Sequence, residues 1–321
     1  MKVLALSCIL MSLASAWSIN GHMFVSNIAQ NLLEDKAPDA LAKANAMLQP
    51  LYNSTIDTTH EGDHAFVECA TFADDNKYHG EMWQSDFHFK KIPYIKDGVE
   101  TDYKIPVATR NLTVGMDDIT MWLSGKGGDS YKDGYMYTFL MKKFENDEDM
   151  AKSYAFRLLV HYAGDIVQPF HNEAAYSTEF PDGDKGANSF TLPYHYGVDE
   201  LHALWDFVLY TQHKNIARPF TEETWESFQL EVNELMSTYS YAVKSKKVYE
   251  TVDFDAQAQE AYDIAITLYD GVTEDEAVPQ DYLDQNIPLA YEQLIKGGYR
   301  LYYLVNYIFG DSVNSDPFYQ F

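Results

Sequence analysis

The sequence has too few cysteines to be stapled: Cys8 and Cys69 are the two among 321 residues. Cys8 lies in an N-terminal leader, so the processed chain is expected to keep Cys69 alone and to form no intrachain disulfide. Small secreted domains usually need such bridges, whereas a chain of this length can bury a sizeable core without them, and bound metal can add folding free energy of its own. Basic residues are scarce too, 23 Lys and Arg against 49 Asp and Glu, a formal net charge of −26. That balance argues against the basic footprint with which proteins grip nucleic acid by its phosphates. It leaves room for an enzyme whose local positive charge is a bound metal, because such ions can be the largest charges in a site. After the leader no stretch is apolar and long enough to cross a bilayer, which takes about 20 residues; even the Tyr-rich C-terminal run is broken by Arg300 and Asn306. Internal repeats, low-complexity tracts and Pro/Ser-rich linkers are missing as well, so a single domain is expected.

What the sequence does contain begins with Lys2, an apolar run from Val3 to Leu13, and Ala14-Ser15-Ala16. Together these form the charge, apolar core and small-residue cleavage site of a secretory signal peptide. Residues 1–16 are read as the leader and 17–321 as the mature domain, with Trp17 first. An uncleaved anchor would need a longer run. The address is secreted or lumenal, a lysosome-like compartment included, and the mature protein is expected to be soluble, with no membrane attachment and no stable protein partner. Asn53-Ser54-Thr55 and Asn111-Leu112-Thr113 are glycosylation sequons.

Helical periodicity dominates. Met23, Ile28, Leu32 and Leu33 predict a first helix ending near Pro38. Others are expected from about Asp147 to Val167, from Asp199 to His213, after a cap at Thr221, from Asp255 to Asp270, and from Ile287 to Phe309 despite Gly297-Gly298 in its middle. Tyr94 to Val114, with Asp97-Gly98 as a turn signal, reads as loop with a short hairpin. The fold class is mainly α: a single-domain helical bundle with few short strands.

His161-Tyr-Ala-Gly-Asp165 puts an imidazole and a carboxylate four residues apart, on one face of one helix, and His202-Ala-Leu-Trp-Asp206 repeats the spacing. Zinc takes both donor types, and two such pairs facing each other across a bundle can build a multinuclear site. A lone pair of this kind carries little weight; two, both in apolar helices, carry more. Between them, Gln168-Pro169-Phe170-His171 ends the helix, and the turn could swing His171 toward the same cavity. Taken alone, His171 would read as a capping or core histidine. Cleavage before Trp17 would expose an α-amino group with a pKa near 8, able to chelate a metal together with the Trp17 carbonyl, and His22 follows five residues later.

Trp17 with Gly21-His22, Ala73-Asp74, Phe87-His88-Phe89, the His161 to His171 stretch, Asp184-Lys-Gly-Ala-Asn188 and Leu201-His202-x-x-Trp-Asp206 resemble, in order, the motifs of the zinc-dependent single-strand nucleases secreted by fungi and plants, with 3′-nucleotidases among their relatives. Gly298-Tyr-Arg-Leu301 through Asn306 is similar to that family's closing helix. The resemblance implies three zinc ions: one held by Asp74, His88, His161 and Asp165, a second by Asp165, Trp17 and His22, and a third by His171, His202 and Asp206. It leaves His60, His64, His79, His195 and His213 as structural or surface residues. It also implies hydrolysis of single-stranded DNA and RNA, or of 3′-nucleotides, by metal-activated hydroxide, yielding 5′-phosphates from nucleic acid. Asp74, Lys77 and Asn188 are the candidate catalytic residues. Phe89 is the candidate base-stacking ring, with burial in the core as the alternative.

Three positions depart from the family's pattern. Lys77 stands where arginine is frequent, keeping the charge and losing the bidentate fork. Lys91 stands near the place of a base-reading acid, which reverses the charge there. The single mature cysteine departs from disulfide-bonded members. The rival readings are a zinc-dependent phospholipase C of related fold, which is expected to carry Glu in place of Asp206, and a secreted metal-binding protein without turnover.

Overall fold

The structure, a computed structural model, describes residues 17–52, 54, 56–96 and 108–310. The leader, Asn53 and Thr55 of the first sequon, and the Asp97-Gly98 turn lie outside these residues. The expected mainly helical single domain is what the chain forms. Helix α1 (Ile19–Lys36) buries Met23, Ile28, Leu32 and Leu33 and stops before Pro38. Pro38 opens α2 (Pro38–Tyr52), where its missing N–H costs nothing. Two short helices follow, α3 (Ala65–Glu68) and α4 (Phe72–Lys77), joined by a tight turn at Cys69–Thr71. A 3₁₀ stretch, Met82–His88, leads into strand β1 (Ile92–Ile95).

Helix α5 (Leu112–Ser124) was not foreseen. Asn111, the residue of the second sequon, caps it: its side-chain oxygen accepts the Val114 N–H at 3.2 Å. Helix α6 (Tyr135–Lys143) precedes α7 (Glu148–Asp165), whose N-cap Asp147 accepts the Met150 N–H at 3.1 Å and whose first turn is acidic, as the helix dipole favours. From Ser153 to Asp165 every residue of α7 is buried. A helix covered all round is the spine of a bundle, and α1, α2, α4, α5, α6 and α11 (Gln280–Phe309) all pack on it.

Between these helices run strands β2 (Glu173–Tyr176), β3 (Thr191–His195) and β4 (Val198–Glu200) and helices α8 (Leu201–Asp206), α9 (Glu222–Thr238) and α10 (Phe254–Ala265). Thr221 caps α9 in a reciprocal capping box with Thr224. β3 and β4 form a small antiparallel hairpin, while β1 pairs with β2 in parallel, Ile92 opposite Glu173. The pairing of β1 with β2 is long-range, which a local turn signal cannot reveal, and the hairpin expected after Tyr94 falls largely on residues 97–107, outside those described.

The helix expected from Asp199 to His213 is shorter. Asp199 and Glu200 belong to β4, and α8 stops at Asp206, after which Val208, Leu209 and Tyr210 all take positive φ. The Asp206 carbonyl, which would otherwise continue the helix ladder, accepts the Ser18 N–H at 2.8 Å. Helix α11 begins earlier than expected and runs through Pro288. Its paired glycines let it lie against α1: a Cβ on Gly298 would stand 2.4 Å from Ile28, and one on Gly297 would stand 2.8 Å from Val167.

On α5, burial first and then the Asp255 and Asp118 carboxylates hold the Asp117 carboxyl up at about 7, against the opposing charge of Lys90. The folded chain therefore binds this proton more tightly than the unfolded chain. Its contribution is complete below the usual carboxylate pKa and is lost as pH rises through about 7. Asp117→Asn should therefore gain on the parent from pH 5 up to about pH 7 and level off above it, by about 2–3 kcal/mol over that span. Urea midpoints of the two proteins across that range check this; equal midpoints at pH 8 would show that the ionised carboxyl costs the fold nothing.

Candidate metal centre

His161 and Asp165 sit one turn apart on α7, and other segments bring groups to meet them. Ala70 O lies 2.6 Å from His161 Nδ1, so that nitrogen carries the proton and Nε2 faces inward. His88, closing the 3₁₀ stretch before β1, places Nδ1 3.0 Å from Asp165 Oδ2 and 3.2 Å from His161 Nε2. From α4, Asp74 brings Oδ2 to 3.8 Å from His161 Nε2 and Oδ1 to 3.8 Å from His88 Nδ1. His22 of α1 stacks on His161 with ring centres 3.9 Å apart, and its Nε2 lies 3.6 Å from Asp165 Oδ1. The stacking needs a glycine at 164, where a Cβ would stand 2.5 Å from His22 Nδ1. Trp17 is fully buried one turn before Gly21, and a Cβ there would stand 2.6 Å from Trp17 Cβ.

A second group lies alongside. His171 Nδ1 faces His88 O at 2.7 Å and His202 Nδ1 faces Gly186 O at 2.6 Å, which leaves the two Nε2 atoms 3.2 Å apart. Asp206 Oδ2 is 3.5 Å from His202 Nε2. Its other oxygen accepts the Gln168 amide N–H at 2.7 Å, while Gln168 Oε1 takes the Phe170 N–H. The Asp184 to Asn188 loop holds the Gly186 carbonyl in place. Asp184 Oδ1 accepts the Ala175 and Gly186 N–H groups, and Gly186 sits at φ +67° where a Cβ would collide with the Phe170 carbonyl.

The ligand atoms of three groups lie within 4.8 Å of one another: His22, Asp74 and His161; His88, His161 and Asp165; His171, His202 and Asp206. The donor chemistry fits a cluster of divalent cations. Asp165 is fully buried, yet neither of its oxygens has a hydrogen-bond partner, and both ring nitrogens of His22 are in the same state. Burial pushes the Asp165 carboxyl well above the usual range, with the Asp74 charge adding to the shift, and pushes Asp206 up as well. Burial, and then neighbouring histidines, hold His22, His88 and His171 well below theirs. Neutral imidazoles are what metals bind, and a buried cation supplies the charge that an ionised Asp165 lacks here.

The remaining candidates take varied places. Lys77, at the end of α4, is buried, and its charge reaches His88, His161 and Asp165. Phe89 is half-buried and stacks on His171, ring centres 4.5 Å apart and 25° between planes. Asn188 closes its loop by donating to Lys185 O at 2.8 Å. Asn111 is 8% exposed, and the nitrogen that a glycan would join donates to Ala108 O. None of His60, His64, His79, His195 and His213 belongs to the three groups; His64 stacks on Trp225 and His213 on Tyr196.

Gln168 had no role in the sequence reading; only its place before the Pro-Phe-His turn marked it. Gln168→Met should weaken the metal bound at Asp206 by about 10–100-fold, the usual loss when a ligand's hydrogen-bonded support goes. A chelator-competition titration measures this, and an unchanged affinity would mean that Asp206 is oriented by packing alone.

The S1/P1 Nuclease family profile matches residues 17–310. The chain is similar to Endonuclease 2 of Arabidopsis thaliana, 25% identical over 305 residues that cover 92% of this chain and 91% of the relative. It is also similar to Endonuclease 4 of the same plant, 23% identical over 309 residues covering 92% and 90%.

Proposed function

The chain belongs to the S1/P1 nuclease family, a family of metal-dependent hydrolases acting on nucleic acid, and we propose that it is a secreted, three-zinc enzyme that cuts single-stranded DNA and RNA to 5′-phosphate products and also hydrolyses 3′-nucleotides. The observation that carries the reading is Asp165: a fully buried carboxylate, free of hydrogen bonds, with His22, His88 and His161 all within 3.6 Å of its oxygens. Asp74, His88, His161 and Asp165 would hold one zinc, Asp165 with His22 and the amino and carbonyl groups of a processed Trp17 a second, and His171, His202 and Asp206 the third. Cleavage after Ala16 would supply that amino group and deliver the enzyme to a secreted or lumenal compartment, with a glycan at Asn53.

When bound, zinc lowers the pKa of water and stabilises charge on phosphoryl and leaving oxygens. The chain's own residues set the direction of attack. Asp74 has an 18% exposed side chain, against 0–5% for the side chains of His22, His88, His161, Asp165, His202 and Asp206, so its carboxylate faces the approach and can accept a proton from the attacking water. Lys77 brings a positive charge to the phosphate, as a point and not as a fork. A base can stack on Phe89, whose other neighbour is the ligand His171, and this ties the base to the metal at a fixed distance. A duplex keeps its bases stacked inside and cannot make that contact, which supports the single-strand preference. Purified processed protein should hydrolyse single-stranded DNA, RNA and 3′-AMP, spare duplex DNA and phosphatidylcholine, and carry close to three zincs. Lipid turnover alone would hand the site to a phospholipase, and absence of zinc would end the cluster assignment.

A further inference from the structure

The chain between α8 and α9, residues 207–221, forms no helix or strand, and a connection of that length inside a compact domain is usually a working segment. Here it is a strap laid past the elements that carry the metal ligands. It leaves Asp206, the last residue of α8. At its middle it meets Asn20, two residues before His22: the Asn20 amide donates to Gln212 Oε1 and to Lys214 O, each at 2.9 Å, and accepts the Ile216 N–H at 2.9 Å. At its far end Arg218 reaches α4. Nη1 donates to Asp75 Oδ2 at 2.5 Å and Nη2 to Asp75 Oδ1 at 3.2 Å, and Nη1 also makes a short bond to the Thr71 hydroxyl. The Phe220 N–H then closes on Glu68 Oε1 at 2.6 Å, while the other oxygen of Glu68 accepts the Gly62 N–H at 2.6 Å. The strap thus starts at the ligand Asp206, passes the helix that carries His22 and ends beside Asp74.

We propose that Arg218 is a positioning residue of the metal centre, holding Asp74 against His88 and His161 through its two-pronged pair with Asp75. This rests on the zinc-dependent nuclease reading of that centre. Helix α4 has six residues, fewer than the about 12–15 below which an isolated helix is marginal in water, so its place is set by what grips it. Successive residues of a helix point about 100° apart, which lets Asp74 face the metals while Asp75 faces the strap. Thr71, four residues before Asp75, lies on the strap's side, and its hydroxyl donates to Asp75 Oδ2 at 2.8 Å. Lys77, three residues after Asp74, follows it toward the metals. With an 18% exposed side chain, Asp74 is the ligand least enclosed by packing and depends most on such a grip. The Arg218 side chain is itself 6% exposed, and its planar fork fixes Asp75 in direction as well as in distance.

Stepwise zinc affinities from chelator competition, with kcat and KM on single-stranded DNA at saturating zinc, test this on Arg218→Gln, Arg218→Lys, Asp75→Asn and the double variant Arg218→Gln/Asp75→Asn. In Arg218→Gln one zinc should be held about 10–100-fold more weakly, the usual loss when a ligand's support goes, and the others as in the parent. With zinc saturating, kcat should fall about tenfold or more and KM should stay within about twofold. Arg218→Lys keeps the charge and loses the fork, so it should fall between, and it decides the matter if the glutamine variant fails to fold. Asp75→Asn should reproduce the loss, and the double variant should lose no more than the worse single one, because the two residues act as a unit. Lower melting temperatures with zinc affinity and kcat unchanged would make this a structural ion pair and overturn the proposal. A raised KM with kcat kept overturns it too, since Arg218 would then touch the substrate, and losses that multiply in the double variant overturn the route through Asp75. Zinc binding by the parent without turnover would refute the hydrolytic reading, while a weakened zinc in Arg218→Gln would still uphold the positioning role; a parent without zinc overturns both.

Discussion

Asp165→Asn should empty two of the three proposed zinc positions and lower kcat/KM on single-stranded DNA on the order of 10⁴-fold, the scale of losing a group on which the other catalytic groups depend. The carboxylate faces His22, His88 and His161 together and is fully buried among them, so its loss would reach both of the zinc positions proposed to share it. Stability should respond with opposite signs in two states. With zinc present, the variant should melt lower, because each site saturated at a thousand times its Kd contributes about 4 kcal/mol that the variant forfeits. With zinc removed by chelation, the variant should be the more stable protein by about 1–3 kcal/mol, since it no longer buries a carboxyl without partners. Scanning calorimetry with and without chelator reads both. A variant less stable than the parent in both states would make Asp165 an ordinary packing residue.

A chain that starts one residue before Trp17 should bind one zinc fewer and lose more activity than the 10–100-fold that follows removal of a ligand's support. An amide nitrogen has no lone pair to offer, whereas an α-amino group with a pKa near 8 does. The surroundings explain why this end cannot adjust. Trp17 is fully buried against Gly21, the Ser18 N–H is tied to Asp206 O, and Asn20 holds the following loop through Gln212, Lys214 O and the Ile216 N–H. Comparing Gly-extended and processed proteins by zinc count and turnover, with His22→Ala alongside, decides it. Three zincs and full activity in the extended protein would remove Trp17 from the ligand set.

The two His–Asp pairs were legible because i,i+4 spacing on an apolar helix is a local rule, and the helices that carry them were legible for the same reason. Asp74, His88 and His22 were reached through ordered motifs and not through spacing, since only tertiary packing brings α1, α4 and β1's entry to α7. The supports were hidden altogether: the Ala70, His88 and Gly186 carbonyls belong to the backbone, and no side chain announces which carbonyl a histidine will face. The same holds for β1 and β2, whose partners lie far apart in the chain. The end of α8 escaped because Val208 and Leu209 are poor candidates for left-handed backbone; the Leu209 N–H turns back to Leu204 O while Ser18 takes the Asp206 carbonyl, and neither contact is announced by a side chain.

The close seat of α11 on α1 through Gly297 and Gly298 has a consequence in time. The ribosome makes α1 first and α11 nearly last, and at about 5–20 residues per second the interval is on the order of tens of seconds. Throughout it, the apolar face of α1 that will meet α11 is uncovered, although His22 already has its platform once α7 is made. A chain truncated before Gln280 would keep α1 against α2, α3, α7 and α9 and leave this one face bare to solvent, an exposed apolar surface that the complete polypeptide never shows once folded.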